Sequence, residues 1–156
     1  MPDEKSDPRA VEHENLRLKL VRGFSGNVPH NHALGIQIVD MQPKVALFRL
    51  PYDGKLVGNP DTGVIHGGAI TALLDGASGA AVFAALEELV PIATLDLRID
   101  YLRPAEPHRD VMARATCYKM AKNVAFTRAV AYHDDESDPI AHSVGTFMIS
   151  TRGVKK

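Results

Sequence analysis

The 156-residue sequence holds one cysteine, Cys117, so no internal disulfide can form. A reducing compartment fits this, and a cytoplasmic location is expected. A surplus of either charge is also missing. Lys and Arg number 18 against 19 Asp and Glu, so the basic excess that recognises a nucleic-acid backbone is absent and that partner is not expected. The opening residues, Met1 to Arg9, contain no apolar run, which argues against a secretory signal. No G-x-S-x-G elbow occurs, which excludes a serine hydrolase of that kind. No phosphate-cradling P-loop and no dinucleotide fingerprint occur either, and no cofactor is expected. Aromatic residues make up only 6%, so a ligand pocket would be lined mainly by aliphatic side chains.

What is present is ordinary for one globular domain: 45% apolar and 24% charged residues. Residues 1–25 read as a leader followed by a short helix over Ala10 to Val21, ended by Gly23 and Gly26. Residues 26–156 read as a single domain. Strands are expected over Gly35 to Met41 and Lys44 to Leu50, separated by Pro43, with a loop from Pro51 to Gly63. Thr94 to Leu102 alternates strictly. Leu95, Leu97, Ile99 and Tyr101 fall on one face, and Thr94, Asp96, Arg98 and Asp100 on the other. Further strands follow over Asp110 to Met120, Val124 to His133 and Ile140 to Thr151, with a solvated acidic turn over His133 to Pro139.

Between the two groups of strands lies a helical stretch from about Gly67 to Leu89. Ile70, Leu73, Leu74, Ala77, Ala81 and Ala84 form one apolar stripe, and Thr71, Asp75, Ser78 and Gly79 a small polar face. The stretch is about long enough to span a bilayer at roughly 20 residues. With Asp75 near its middle and no second span, a helix buried in protein explains it better, and no membrane partner is expected. The strand–helix–strand order predicts an α+β domain, a curved antiparallel sheet around one long central helix.

Asp75 is the only charged residue between His66 and Glu87. A carboxylate there is costly to bury unless it is paired or functional. The bland alternative is a structural Asp bonded to nearby hydroxyls or backbone. His66-Gly67-Gly68 opens the helix, and bare backbone N–H groups at a helix start suit an oxygen gaining negative charge. The bland alternative here is that the glycines only permit a tight turn.

His66-Gly67-Gly68, with Asp75 nine residues after the His, resembles the hotdog-fold acyl-CoA thioesterases of the phenylacetate-pathway type. The likeness runs from about Pro29 to Ser150. It includes Leu34-Gly35, Gly58-Asn59, Thr94 to Pro104 and Gly145-Thr146-Phe147. It implies hydrolysis of acyl-CoA without a metal, with Asp75 as nucleophile or general base. Gly67 or Gly68 N–H would polarise the carbonyl, and Thr94 would orient the water. Asn59 resembles the loop Asn near the thiol-leaving side, although it stands seven residues before His66 where many relatives have six. His66 orients the loop or packs at the helix start. Arg103, Lys122 and Arg128 are candidates for the CoA phosphates.

Spacing adds one constraint. Gly67 and Asp75 lie about 12 Å apart along a helix axis, while reacting atoms must approach within roughly 3–3.5 Å. Two antiparallel copies of the helix would bring one chain's glycines to the other's Asp75. A homodimer with shared sites is therefore expected, and the resemblance implies a dimer of dimers. A non-catalytic acyl-CoA-binding module and a hotdog-fold hydratase or dehydratase are the alternatives. His30-Asn31-His32 lacks a third ligand and reads as loop, so no metal is expected. Cys117 reads as a small core residue.

Overall fold

The computed structural model describes residues 8–150. Expectations for residues 1–7, and for Thr151 at the end of the last strand, fall outside the described residues. The chain begins with helices α1 (Pro8–Gly26) and α2 (Pro29–Leu34), then strands β1 (Gln37–Gln42) and β2 (Val45–Leu50). A 3-10 turn over Gly54–Leu56 leads into β3 (Val57–Asn59) and β4 (Val64–Ile65), and these open onto helix α3 (Gly67–Phe83). Strands β5 (Ile92–Tyr101), β6 (Val111–Met120), β7 (Val124–Tyr132) and β8 (Ala141–Ile149) complete the chain.

Strands β3 and β4 form a small hairpin where sequence reading expects only loop. The other six make one antiparallel sheet in the order β1-β2-β6-β7-β8-β5. Helix α3 packs across it, chiefly on β2, β6 and β7. This α+β arrangement, an antiparallel sheet folded around one central helix, is the expected hotdog fold. All six residues of the predicted apolar stripe on α3 are buried. Leu73 and Leu74 are fully enclosed; each such side chain contributes about 1.5–3 kcal/mol. The facing positions of β6 are Val111, Ala113, Ala115 and Cys117, all buried. Their small volume lets the helix lie close to the sheet. Burial also pushes the Cys117 thiol above its usual range, as suits a core residue rather than a nucleophile.

Several boundaries differ from expectation. Helix α1 is 19 residues long, continues through Gly23, and packs on β1 and α3 with Val21 fully buried. Helix α3 stops at Phe83 rather than Leu89. There the Ala84 carbonyl accepts the Lys44 N–H of the β1–β2 turn at 3.2 Å. Ala85 and Leu86 N–H close 3-10-type bonds onto Val82 and Phe83. The His133–Pro139 turn is not simply solvated. Asp134 pairs with Arg109, Glu136 with Arg114 and Asp138 with Arg103. His133 is buried and bonds the Asp110 carbonyl and the Glu106 N–H.

The consequential difference is in β5. Thr94 pairs with Phe147 and Asp96 with Thr146, leaving Leu95 without a partner. This β-bulge breaks the strict alternation. Phe147, Gly145, Ser143 and Ala141 are buried on the inner face of β8. Their partners Thr94, Leu97, Ile99 and Tyr101 therefore share one face, toward α3. Thr94 is not on the outer face with Asp96, and Leu95 stands 58% exposed.

Candidate active site

Helix α3 packs on the sheet and presents another side to a cavity. Thr71, Ala72, Asp75, Gly76, Gly79 and Phe83 follow each other at helical spacing and line a cavity of about 670 Å³. Ser78, expected on this small face, is instead fully buried, with its hydroxyl unbonded among the described residues. Across the cavity stand Ile92, Thr94 and Leu97 of β5, with Phe147 and α2. Asp75 is half-buried here. The Thr94 hydroxyl donates to its Oδ1 at 2.9 Å. No Lys or Arg pairs with it among the described residues. A carboxylate oriented by one hydroxyl, facing an apolar groove, can accept a proton from water or attack a carbonyl.

The helix start divides the roles of the two glycines. His66 is the N-cap, with φ −60° and ψ 134°, and its Nδ1 accepts the Gly68 N–H at 2.9 Å. A Cβ on Gly68 would lie 2.9 Å from that nitrogen, so this cap requires glycine. The Gly68 donor is thus occupied, while the Gly67 N–H has no partner among the described residues. The Gly67 carbonyl accepts from Tyr101 Oη at 2.6 Å and from Thr71 Oγ1 at 3.1 Å. Both polar atoms of the Gly67–Gly68 peptide are therefore held by side chains, which fixes the plane of a unit flanked by two flexible glycines. Gly67 opens on a second cavity, of about 420 Å³, shared with Tyr101, Leu102 and Arg103.

Other candidate residues lie apart from Asp75. The Asn59 side-chain oxygen accepts the Asp61 N–H at 3.0 Å and closes its own turn. Arg103 is engaged by Glu106 and Asp138. Its N–H also meets the Ile140 carbonyl at the start of β8, whereas the turn holding Lys122 meets β8 at Ile149. The backbone contacts of the two segments therefore fall at opposite ends of one strand, on the order of 30 Å apart at 3.3 Å per residue. Arg128 lies over the Tyr118 ring at 4.4 Å. His30-Asn31-His32 is not loop but part of α2, with His30 and Asn31 on the cavity wall. Among the described residues no His, Cys, Asp or Glu cluster could hold a metal ion. No helix among them is long and apolar enough to cross a membrane.

Residues 62–140 match the thioesterase superfamily. The chain belongs to that superfamily. This thioesterase is 30% identical over 146 residues to the medium/long-chain acyl-CoA thioesterase YigI of Escherichia coli, covering 85% of this chain and 93% of that one. A solved Pseudomonas aeruginosa protein is 46% identical, with a TM-score of 0.78, over 86% of this chain and 99% of its own. The E. coli PaaI protein of the phenylacetic acid degradation operon shares the fold at TM-score 0.78 with 19% identity, over 92% of this chain and 98% of its own. These likenesses agree with the resemblance read from His66-Gly67-Gly68 and Asp75 and place the chain among thioester hydrolases.

Proposed function

We propose that this thioesterase hydrolyses acyl-CoA at sites shared between two copies of the chain, with Asp75 of one copy facing Gly67 of the other. The observation that carries the reading is the separation of two half-sites on one helix. Asp75, held by Thr94, opens on the larger cavity. Gly67, whose N–H has no partner among the described residues, opens on the other about two helical turns away. An antiparallel second helix brings the halves together. The thioester carbonyl then points its oxygen at the partner's Gly67 N–H while Asp75 acts on the carbon directly or through water. A thioester already carries a good leaving group, so one base and one polariser suffice. Gly67 rather than Gly68 is the polariser, because His66 occupies the Gly68 donor.

Strand β5 supports the pairing. It is one edge of the sheet, ten residues long, with Leu95 and Tyr101, and Leu102 just after it, about half exposed. An exposed edge of that length is a natural site for a second strand. The apolar cavity and the likeness to a medium/long-chain enzyme support a medium or long aliphatic acyl group. Thiol release from acyl-CoA tests the chemistry. Asp75→Asn abolishes it in dimers that remain intact. Mixing Asp75→Asn with Gly67→Pro tests the sharing. Both homodimers are inactive, whereas random mixed dimers restore about a quarter of wild-type activity, because each retains one whole site. An Asp75→Asn enzyme with full activity would remove the carboxylate from this role. Absent restoration in verified mixed dimers would place the whole site in one chain.

A further inference from the structure

Asn31 of α2 stands in the wall of the large cavity, beside Val28 and His30. Beyond that residue lies a third cavity of about 260 Å³, between the end of α1 and the start of β1, with Ile36, Ile38 and Phe48 in its wall. Asn31 is the one described residue that lines both spaces. Its carboxamide lies over the backbone of Gly76, where a Cβ would meet Nδ2 at 3.4 Å and Phe48 at 3.6 Å. No hydrogen bond to another described residue holds that carboxamide. A polar group with no partner among the described residues stands at the boundary of two partly apolar spaces, beside Gly76, which follows Asp75 on α3.

We infer that Asn31 is the end wall of the acyl cavity and sets the length of chain this thioesterase accepts; this rests on the acyl-CoA reading above. An alkyl chain that runs along Gly76 and Gly79 meets the carboxamide. Going further would strip water from it without offering a hydrogen bond, which is unfavourable. Up to the wall each added methylene gains about 0.8 kcal/mol, close to four-fold in affinity. Past the wall the gain stops. Replacing Asn31 by a small residue joins the two cavities and admits the tail of a longer chain.

The test is binding by calorimetry of non-hydrolysable S-alkyl-CoA thioethers of increasing length, alongside kcat/KM for the matching acyl-CoAs. Wild type shows affinity climbing with length to a break. Asn31→Ala and Asn31→Ser move the break to longer chains, and two extra buried methylenes raise the long-to-short affinity ratio about 15-fold. Asn31→Leu, which fills the space again, leaves the break at or below its wild-type length. An unmoved break in both small-residue variants overturns the inference. Thioethers that bind with a movable break, beside acyl-CoAs that are never hydrolysed, would overturn the thioesterase reading and leave the wall standing.

Discussion

Gly67→Pro deletes the proposed polarising N–H while leaving the helix start almost untouched. Gly67 is the first helical residue after the His66 cap, a position where proline is over-represented because the ring suits the helix and that N–H lacks an intrahelical partner. The residue before a proline must be extended, and His66 already is, at ψ 134°. A Cβ at position 67 would meet Tyr101 at 3.4 Å, a contact the tip of that ring can absorb. Stability should hold or rise by about 0.4–1 kcal/mol through the unfolded chain. Losing one oxyanion donor costs about 2.7–4 kcal/mol, a fall of 10²–10³ in kcat. The assay is thiol release at saturating acyl-CoA, with thermal unfolding and sedimentation run on the same preparation. Gly67→Ala keeps the N–H and should stay within a few-fold of wild type. A Gly67→Pro dimer that melts normally and turns over at the wild-type rate would refute the role of Gly67.

Thr94→Val removes the 2.9 Å bond to Asp75. Thr94 is exposed in the single chain, so the lower end of the range for bonds to charged groups applies, about ten-fold in kcat/KM, with Thr94→Ser recovering most of it. Tyr101→Phe frees one side of the Gly67–Gly68 peptide; kcat should fall about five-fold with KM unchanged, since a loosened polariser acts on the transition state. Gly145→Ala puts a Cβ 2.8 Å from Thr127 Oγ1 and 3.1 Å from Phe147. Overpacking there should cost about 1–3 kcal/mol in denaturant titrations. Glu106 is held below its ordinary value of 4.5, chiefly by its hydrogen bond from Arg109. Its stabilising effect is therefore present above that value and lost as pH falls through the lowered one, so Glu106→Gln should flatten the acid limb of the stability curve.

Much of this was legible in the residues. The stripe from Ile70 to Ala84 located the buried helix, and its single charge marked Asp75 because carboxylates are rarely enclosed without purpose. What escaped was set by contacts remote in sequence. Helix α3 ends where the β1–β2 turn reaches the Ala84 carbonyl, and nothing local to Leu86 announces it. Thr94 pointed the wrong way in a strict two-residue count because one unpaired residue, Leu95, shifts the register. The resemblance named Thr94, and the bulge supplies the physical reason it can reach Asp75. Asn31 carried no signal, since a polar residue beside histidines and a proline reads as loop until α2 lays it on the cavity. The turn that engages the Asn59 side-chain oxygen, and the two carboxylates beside Arg103, are likewise not legible from the residues alone.

The spacing of Gly67 and Asp75 on one helix also has a genetic consequence. If each site draws one half from each chain, a copy lacking only Asp75 spoils one of the two sites it enters. Activity in a mixed population then tracks the share of normal chains, and the defect is recessive in character. A copy lacking both halves spoils both sites of every dimer it joins. Activity then falls with the square of the normal share, so a doubly damaged chain poisons its neighbours where two singly damaged chains can rescue one another.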